Sequence, residues 1–132
     1  MNRDLVKNLD AQLTVVPQVV TADVSGAAVD TRGFDSAIAI VIAGAIVAAG
    51  LVLPILQESD TTTDGDFTNV AAGDIKGTPF VNLTASSIQK VGYTGKKRYL
   101  RIKLDYVSGT SVAVSSSIVL GTPARLPVGG IA

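Results

Sequence analysis

The sequence predicts an all-β chain, a sandwich or barrel of roughly seven or eight short strands, and three observations carry that expectation. Alanine, valine, serine and threonine are abundant beside 13 glycines, with no tryptophan, a composition that suits pleated strands joined by tight turns. Apolar side chains recur with a period of two in several stretches, which is the repeat of a strand. Clusters of Gly, Pro, Asp and Ser interrupt those stretches at intervals of about ten residues. At 132 residues the chain suits one domain with a core of its own. We divide it into an arm or short helical turn over residues 1–13 and a β domain over 14–132.

The elements follow in order. The opening "MNRDLVKNLD" alternates charged and apolar residues, and no apolar stretch follows it as a secretory signal would require, so no targeting segment is expected. "TVVPQVVT", Thr14 to Thr21, is a strand whose proline assigns it to an edge. A turn at Ser25-Gly26, a short strand and a corner at Gly33 lead into the longest apolar run of the chain, Ala37 to Leu56.

That run, "AIAIVIAGAIVAAGLVLPIL", has twenty residues without a charge or a hydrogen-bonding side chain, long enough to cross a bilayer as a helix. Its internal pattern favours strands. Ala37, Ala39, Val41 and Ala43 share one parity and Ile38, Ile40 and Ile42 the other, and eight of the twenty are Val or Ile. Gly44, Gly50 and Pro54 punctuate it as a strand, a connection and a second strand. The nearest charges outside the run are acidic (Asp35, Glu58, Asp60), and neither the basic flank nor the interfacial Trp or Tyr of a spanning helix is present. No membrane association is expected. Strands apolar on both faces need cover on both, here a second sheet on one side and a neighbouring subunit on the other.

Beyond the run, "ESDTTTDGDFTNVAAGDIKGTPF" is turn-rich around a short "FTNV" strand, and "SSIQKVGY" is a further strand. "RYLRIKLDY" is the clearest amphipathic strand: Leu100, Ile102, Leu104 and Tyr106 on one face, Tyr99, Arg101, Lys103 and Asp105 on the other. "SVAVSSSIVLGTPARLP" supplies the last strand.

Composition bears on chemistry as well. With no cysteine there is no disulfide or thiolate metal site, and with no histidine the commonest general base is missing, so we expect no enzyme and no cofactor. Eleven basic and eleven acidic residues cancel, leaving no global pull toward nucleic acid. Asp60, Asp64, Asp66 and Asn69 place oxygen ligands in one loop, but the EF-hand spacing and its closing glutamate are absent, and Asp-Gly is a hairpin turn in its own right; no metal is assigned. "GYTGKKRYLRIK" interleaves five cations with two tyrosines yet lacks the P-loop spacing, and reads as a solvated strand face or a contact with an acidic protein. "NLT" at Asn82 to Thr84 fits a glycosylation acceptor, which matters only in a eukaryotic secretory pathway, and the two "GTP" triplets are turns.

The order of four segments is informative: "GAAVDTRGFDSAIAIVIAGAI", "LQESDTTTDGDFTNVAAGDIKGT", "VGYTGKKRYLRIKLDYVSGTS" and "VLGTPARLPV". Over roughly Ser25 to Val128 the chain resembles a family of small virion structural proteins of tailed bacteriophages, with a G-x-A-x-D-x-x-G-F-D-S opening, an E-S-D-D-G-x-[FW] loop, a Y-x-G-x-K-R-Y strand and a closing G-x-P-x-x-x-P. The loop is longer here, and the segment before Thr14 stands outside the pattern. The resemblance implies a single antiparallel β-sandwich, jelly-roll-like, acting as a capsid decoration or head-stabilising subunit in the virion, assembled in the bacterial host cytoplasm. We expect a major capsid protein as partner and self-association as a trimer, with no nucleic acid bound. A tail, connector or fibre-base subunit is the nearest alternative; a carbohydrate-binding sandwich is a poorer one, since sugar platforms favour tryptophan. Candidate interface residues are Ile38, Ile40 and Ile42 on the apolar run and Tyr99, Arg101 and Lys103 on the amphipathic strand.

Overall fold

The computed structural model describes residue 6 and residues 8–123, and among them there are ten strands, two short 3-10 turns and no α-helix. The strands are β1 (Asp10–Val20), β2 (Val24–Ser25), β3 (Val29–Asp30), β4 (Phe34–Val47), β5 (Leu51–Ser59), β6 (Thr68–Asn69), β7 (Ile75–Lys76), β8 (Ser87–Tyr93), β9 (Tyr99–Ser108) and β10 (Ser111–Pro123). One sheet has the order β1-β10-β4-β8-β7 and the other β2-β9-β5-β6, with β3 also on β9. Every pairing is antiparallel. The chain passes from sheet to sheet at β1–β2, β3–β4, β4–β5, β6–β7, β8–β9 and β9–β10, so from β4 onward successive long strands lie in opposite sheets across the core instead of pairing. That wrapping makes a jelly-roll-like β-sandwich. No helix among the described residues is long and apolar enough to cross a membrane.

The two sheets enclose one core. β9 contributes Leu100, Ile102 and Leu104, β10 contributes Val112, Ile118 and Leu120, and β4 contributes only the smaller Ala39, Val41 and Ala43. Large side chains from some strands fill the space left by small ones on others, as interior packing density requires. Two buried hydroxyls are satisfied locally. Ser116 donates to the Ile40 carbonyl at 2.8 Å; Thr14 donates to the Ala27 carbonyl at 2.8 Å and accepts from the Ile102 N–H at 3.1 Å.

Three boundaries differ from expectation. β1 begins at Asp10, inside the segment read as an arm, because residues 10–13 already pair with Leu120 to Ser117 of β10; residues 1–5 and 7 lie outside the described residues. Gly44 does not end a strand. Between Ala43 and Ile46 the β4 chain takes three steps while β10 takes two from Val114 to Val112, so Gly44 marks a β-bulge opposite Ala113. The chain reverses instead at Ala48-Ala49, both at positive φ (49° and 58°), closed by the Gly50 N–H on the Val47 carbonyl at 3.1 Å.

Positive φ at both central residues is the type I′ pattern, which favours Asn-Gly, and alanine occupies it at a steric cost. The combined change A48N and A49G is expected to stabilise the protein by about 1 kcal/mol, after allowing for glycine's freedom in the unfolded chain. A higher urea midpoint at constant slope is the signature; no rise would mean the corner is not held in this conformation.

Candidate functional site

The six interface candidates divide between opposite faces of the sandwich. On β4 the alternation turns Ala39, Val41 and Ala43 into the core and Ile38, Ile40 and Ile42 onto the outer face of the first sheet. In register beside them stand Ile88 and Lys90 of β8 and Val119, Ser117 and Ser115 of β10. β1 extends the surface with Leu13 opposite Ser117 and Val19 opposite Ala113. Ile42 is 47% exposed, Val19 63% and Ile88 64%. An antiparallel sheet with one wet face normally puts polar side chains there. This strand does the reverse, turning its bulk outward and its smallest apolar residues inward.

Tyr99, Arg101 and Lys103 lie on the outer face of the second sheet, and Arg101 is only 8% exposed. Its Nε donates to Gln57 Oε1 at 2.8 Å, its guanidinium bonds Asp64, and it stacks over the Phe67 ring at 4.2 Å. Gln57 in turn donates to Asn69 Oδ1 at 3.0 Å. Arg101 therefore pins the loop of residues 60–69 over the sheet, its charge already answered within the subunit.

The same loop accounts for its own acids. Asp60 pairs with Lys97 at 2.9 Å and Asp66 accepts from the Thr61 hydroxyl at 2.7 Å. Among the described residues no group of three or more His, Cys, Asp or Glu is arranged to hold a metal ion. Arg98 forms a two-toothed pair with Asp30 at 2.9 and 2.8 Å, which holds the Asp30 carboxyl below the usual carboxylate range, and it lies 5.0 Å from the Tyr99 ring centre. Tyr93 donates to Glu58 at 2.6 Å; burial first, and then that carboxylate, push its phenol well above the ordinary value. Of the five cations in "GKKRYLRIK", three are thus answered within the subunit.

Removing Arg101 tests this second face. Asp64 is 82% exposed, so the ion pair alone contributes little. The larger losses are a buried Gln57 left without its donor and an uncovered Phe67. Arg101→Ala is expected to destabilise by about 2 kcal/mol, and Arg101→Lys, which lacks the planar fork, to recover less than half. Urea denaturation measures both; a neutral Arg101→Ala would show that the loop is not held this way.

Ile88, Leu13 and Val19 were not among the expected interface residues. The parity of "SSIQKVGY" turns Ile88 outward with Lys90, but only strand register brings it beside Ile42.

No family model matches the chain, and none of the curated proteins matches it. Among solved structures, one titled "Structure of infectious bursal disease virus Gx strain" is similar over 90% of this chain, at 12% identity and a TM-score of 0.44. This chain spans 35% of that one, and likeness of this degree adds nothing to the topology read from the strands.

Proposed function

We propose that this chain is a structural subunit of a tailed-bacteriophage particle, of the capsid decoration or head-stabilising kind, whose work is binding and not catalysis. It self-associates, as a trimer, and docks on the major capsid protein. Two lines support the reading. The four segments between Ser25 and Val128 resemble such proteins in order and in their short motifs, with a longer loop here. The jelly roll is an architecture that viral capsid domains use, alongside lectins and cupins, so the fold alone is analogy.

The observation that carries the proposal is the isoleucine stripe. Ile38, Ile40 and Ile42 line one outer face with Ile88, Leu13, Val19 and Val119; Ile42, Ile88, Leu13 and Val19 are exposed, and Ile38, Ile40 and Val119 half-buried. Large apolar side chains grouped on one outer face, with Lys90, Ser115 and Ser117 among them, mark a protein contact. Burying it against a neighbour would give the apolar centre of an interface, with the polar rim setting orientation.

The test is a pair of aspartates in the stripe. Since Ile42 is 47% exposed and Ile40 half-buried on the same face, I40D and I42D together should leave the strand signature in circular dichroism intact. In sedimentation at about 10 µM the parent should form a closed oligomer and the double variant a monomer, and particles should incorporate the parent only. A parent that stays monomeric and is absent from the head lattice in cryo-electron microscopy would overturn the reading; density on the tail would move it to the tail or connector class.

A further inference from the structure

β8 is paired along its whole length on one side only. β4 covers Ser87–Tyr93, whereas β7 reaches just Tyr93 and Gly92 before Gly77, at φ +91°, turns the chain away. From Ser87 to Val91 the second edge of β8 has no backbone partner among the described residues. The segment of residues 78–84 runs alongside, held off by one side chain: the Val81 N–H donates to Gln89 Oε1 at 3.0 Å, and Gln89 Nε2 donates to the Val81 carbonyl at 3.1 Å. A glutamine amide thus takes the place of a neighbouring strand, so the segment stands farther off than the roughly 4.8 Å of a ladder.

The gap is a groove of about 760 Å³, with Ile38, Ile88, Val81 and Pro79 as its apolar lining and Lys76 and Lys90 along it. No acidic residue lines it. Lys97, Arg98 and Arg101 each have a carboxylate within the subunit, whereas Lys76 and Lys90 have none among the described residues.

The geometry points to a docking groove for an extended segment of a partner protein, which adds as a strand to the open edge of β8, seats apolar residues against Ile38 and Ile88, and brings carboxylates to Lys76 and Lys90. An open strand edge presents unpaired backbone donors and acceptors at regular spacing, and another main chain satisfies them in series. Five residues of edge, about 17 Å, set the length. The two lysines set the sign of the charge. A second copy fits less well: an isologous contact would bring lysines to lysines, and the edge of β1 carries two register shifts and Pro17, which blunt it against pairing. The groove shares Ile38 and Ile88 with the stripe, and the amides along the open edge of β8 test it separately from the particle assignment.

The experiment titrates labelled full-length protein with two capped peptides, Glu-Val-Thr-Val-Glu and Lys-Val-Thr-Val-Lys, and follows amide chemical shifts. The acidic peptide should bind about tenfold more tightly at low salt, lose that advantage as salt rises, and shift the amides of residues 76–81 and 87–92. Charge reversal at two exposed positions, K76E with K90E, should invert the preference without changing thermal stability. Equal affinity for the two peptides, no binding of either, shifts confined to other residues, or the same shifts produced by raising protein concentration alone would each overturn the assignment.

Discussion

Replacing Ile102 by alanine is expected to destabilise the protein by about 4 kcal/mol, near the top of the range for such truncations. The size of the loss depends on how far the surroundings can collapse, and here they are held. Ile102 is fully buried at the middle of β9, opposite Leu56 of β5. Its N–H is bonded to the Thr14 hydroxyl and its carbonyl accepts the Gly26 N–H at 2.8 Å, so the backbone has no slack. Ala39 and Ala43 of the facing sheet have no longer side chain to swing into the space. Ile88→Ala makes the same chemical change at a site 64% exposed, and should cost under about 1 kcal/mol. Urea denaturation of the two variants separates core from surface. If they lose equal stability, the face assigned to the interior is misassigned.

The contrast between these two isoleucines shows what pattern alone can reveal. "RYLRIKLDY" announces its buried face because Leu100, Ile102 and Leu104 alternate with charged residues, and the structure buries all three completely. "AIAIVIA" is apolar on both parities. The sequence therefore marks a strand that needs two covers without saying which parity is inside; the answer, alanines in and isoleucines out, depends on the volume that Leu100, Ile118 and Leu120 already occupy. Local signals also misled where tertiary geometry decided. Gly44 reads as a break but is a bulge, while the true reversal at Ala48-Ala49 has no glycine or asparagine to announce its positive φ. The pairing of Arg101 with Gln57 and Asp64 joins residues 44 and 37 positions apart, a separation that no periodicity reports. For that reason the amphipathic strand looked free to meet a partner on its polar face.

These placements also separate the possible roles of the two faces. The second sheet carries a loop tied down by Arg101 and ion pairs that close within the subunit, so its outer surface is largely settled by intramolecular contacts. The first sheet keeps its largest outward side chains in the open and has a strand edge unpaired beside them. A change that weakens folding and a change that weakens association should therefore map to different residues, Ile102 against Ile40 and Ile42, and be additive because the sites share no partner.

Gly26→Ala is expected to destabilise by about 3 kcal/mol, a large effect for a single methyl group. Gly26 sits where the chain leaves β2, and a Cβ there would lie within 2.7 Å of the Ile102 carbonyl oxygen and closer still to the hydroxyl and carbonyl of Thr14. Two of those three atoms are backbone, so no rotamer change relieves the contact. Relief requires moving the corner away from both sheets, and that stretches the Gly26 N–H bond to Ile102 and the Ala27 N–H bond to the Thr14 carbonyl, now 2.8 and 2.6 Å. Both are shielded by a buried Thr14, leaving no water to replace them. The control is Gly65→Ala, in the exposed loop where an added Cβ meets nothing within 4 Å, and it should change stability by less than about 0.5 kcal/mol. Hydrogen exchange at the Ile102 amide reports the mechanism: it should accelerate in Gly26→Ala under conditions where amides of the β4–β8 pair do not. If the variant folds with parental stability and an unchanged Ile102 amide, the clamp joining β1, the Gly26 corner and β9 does not exist as described.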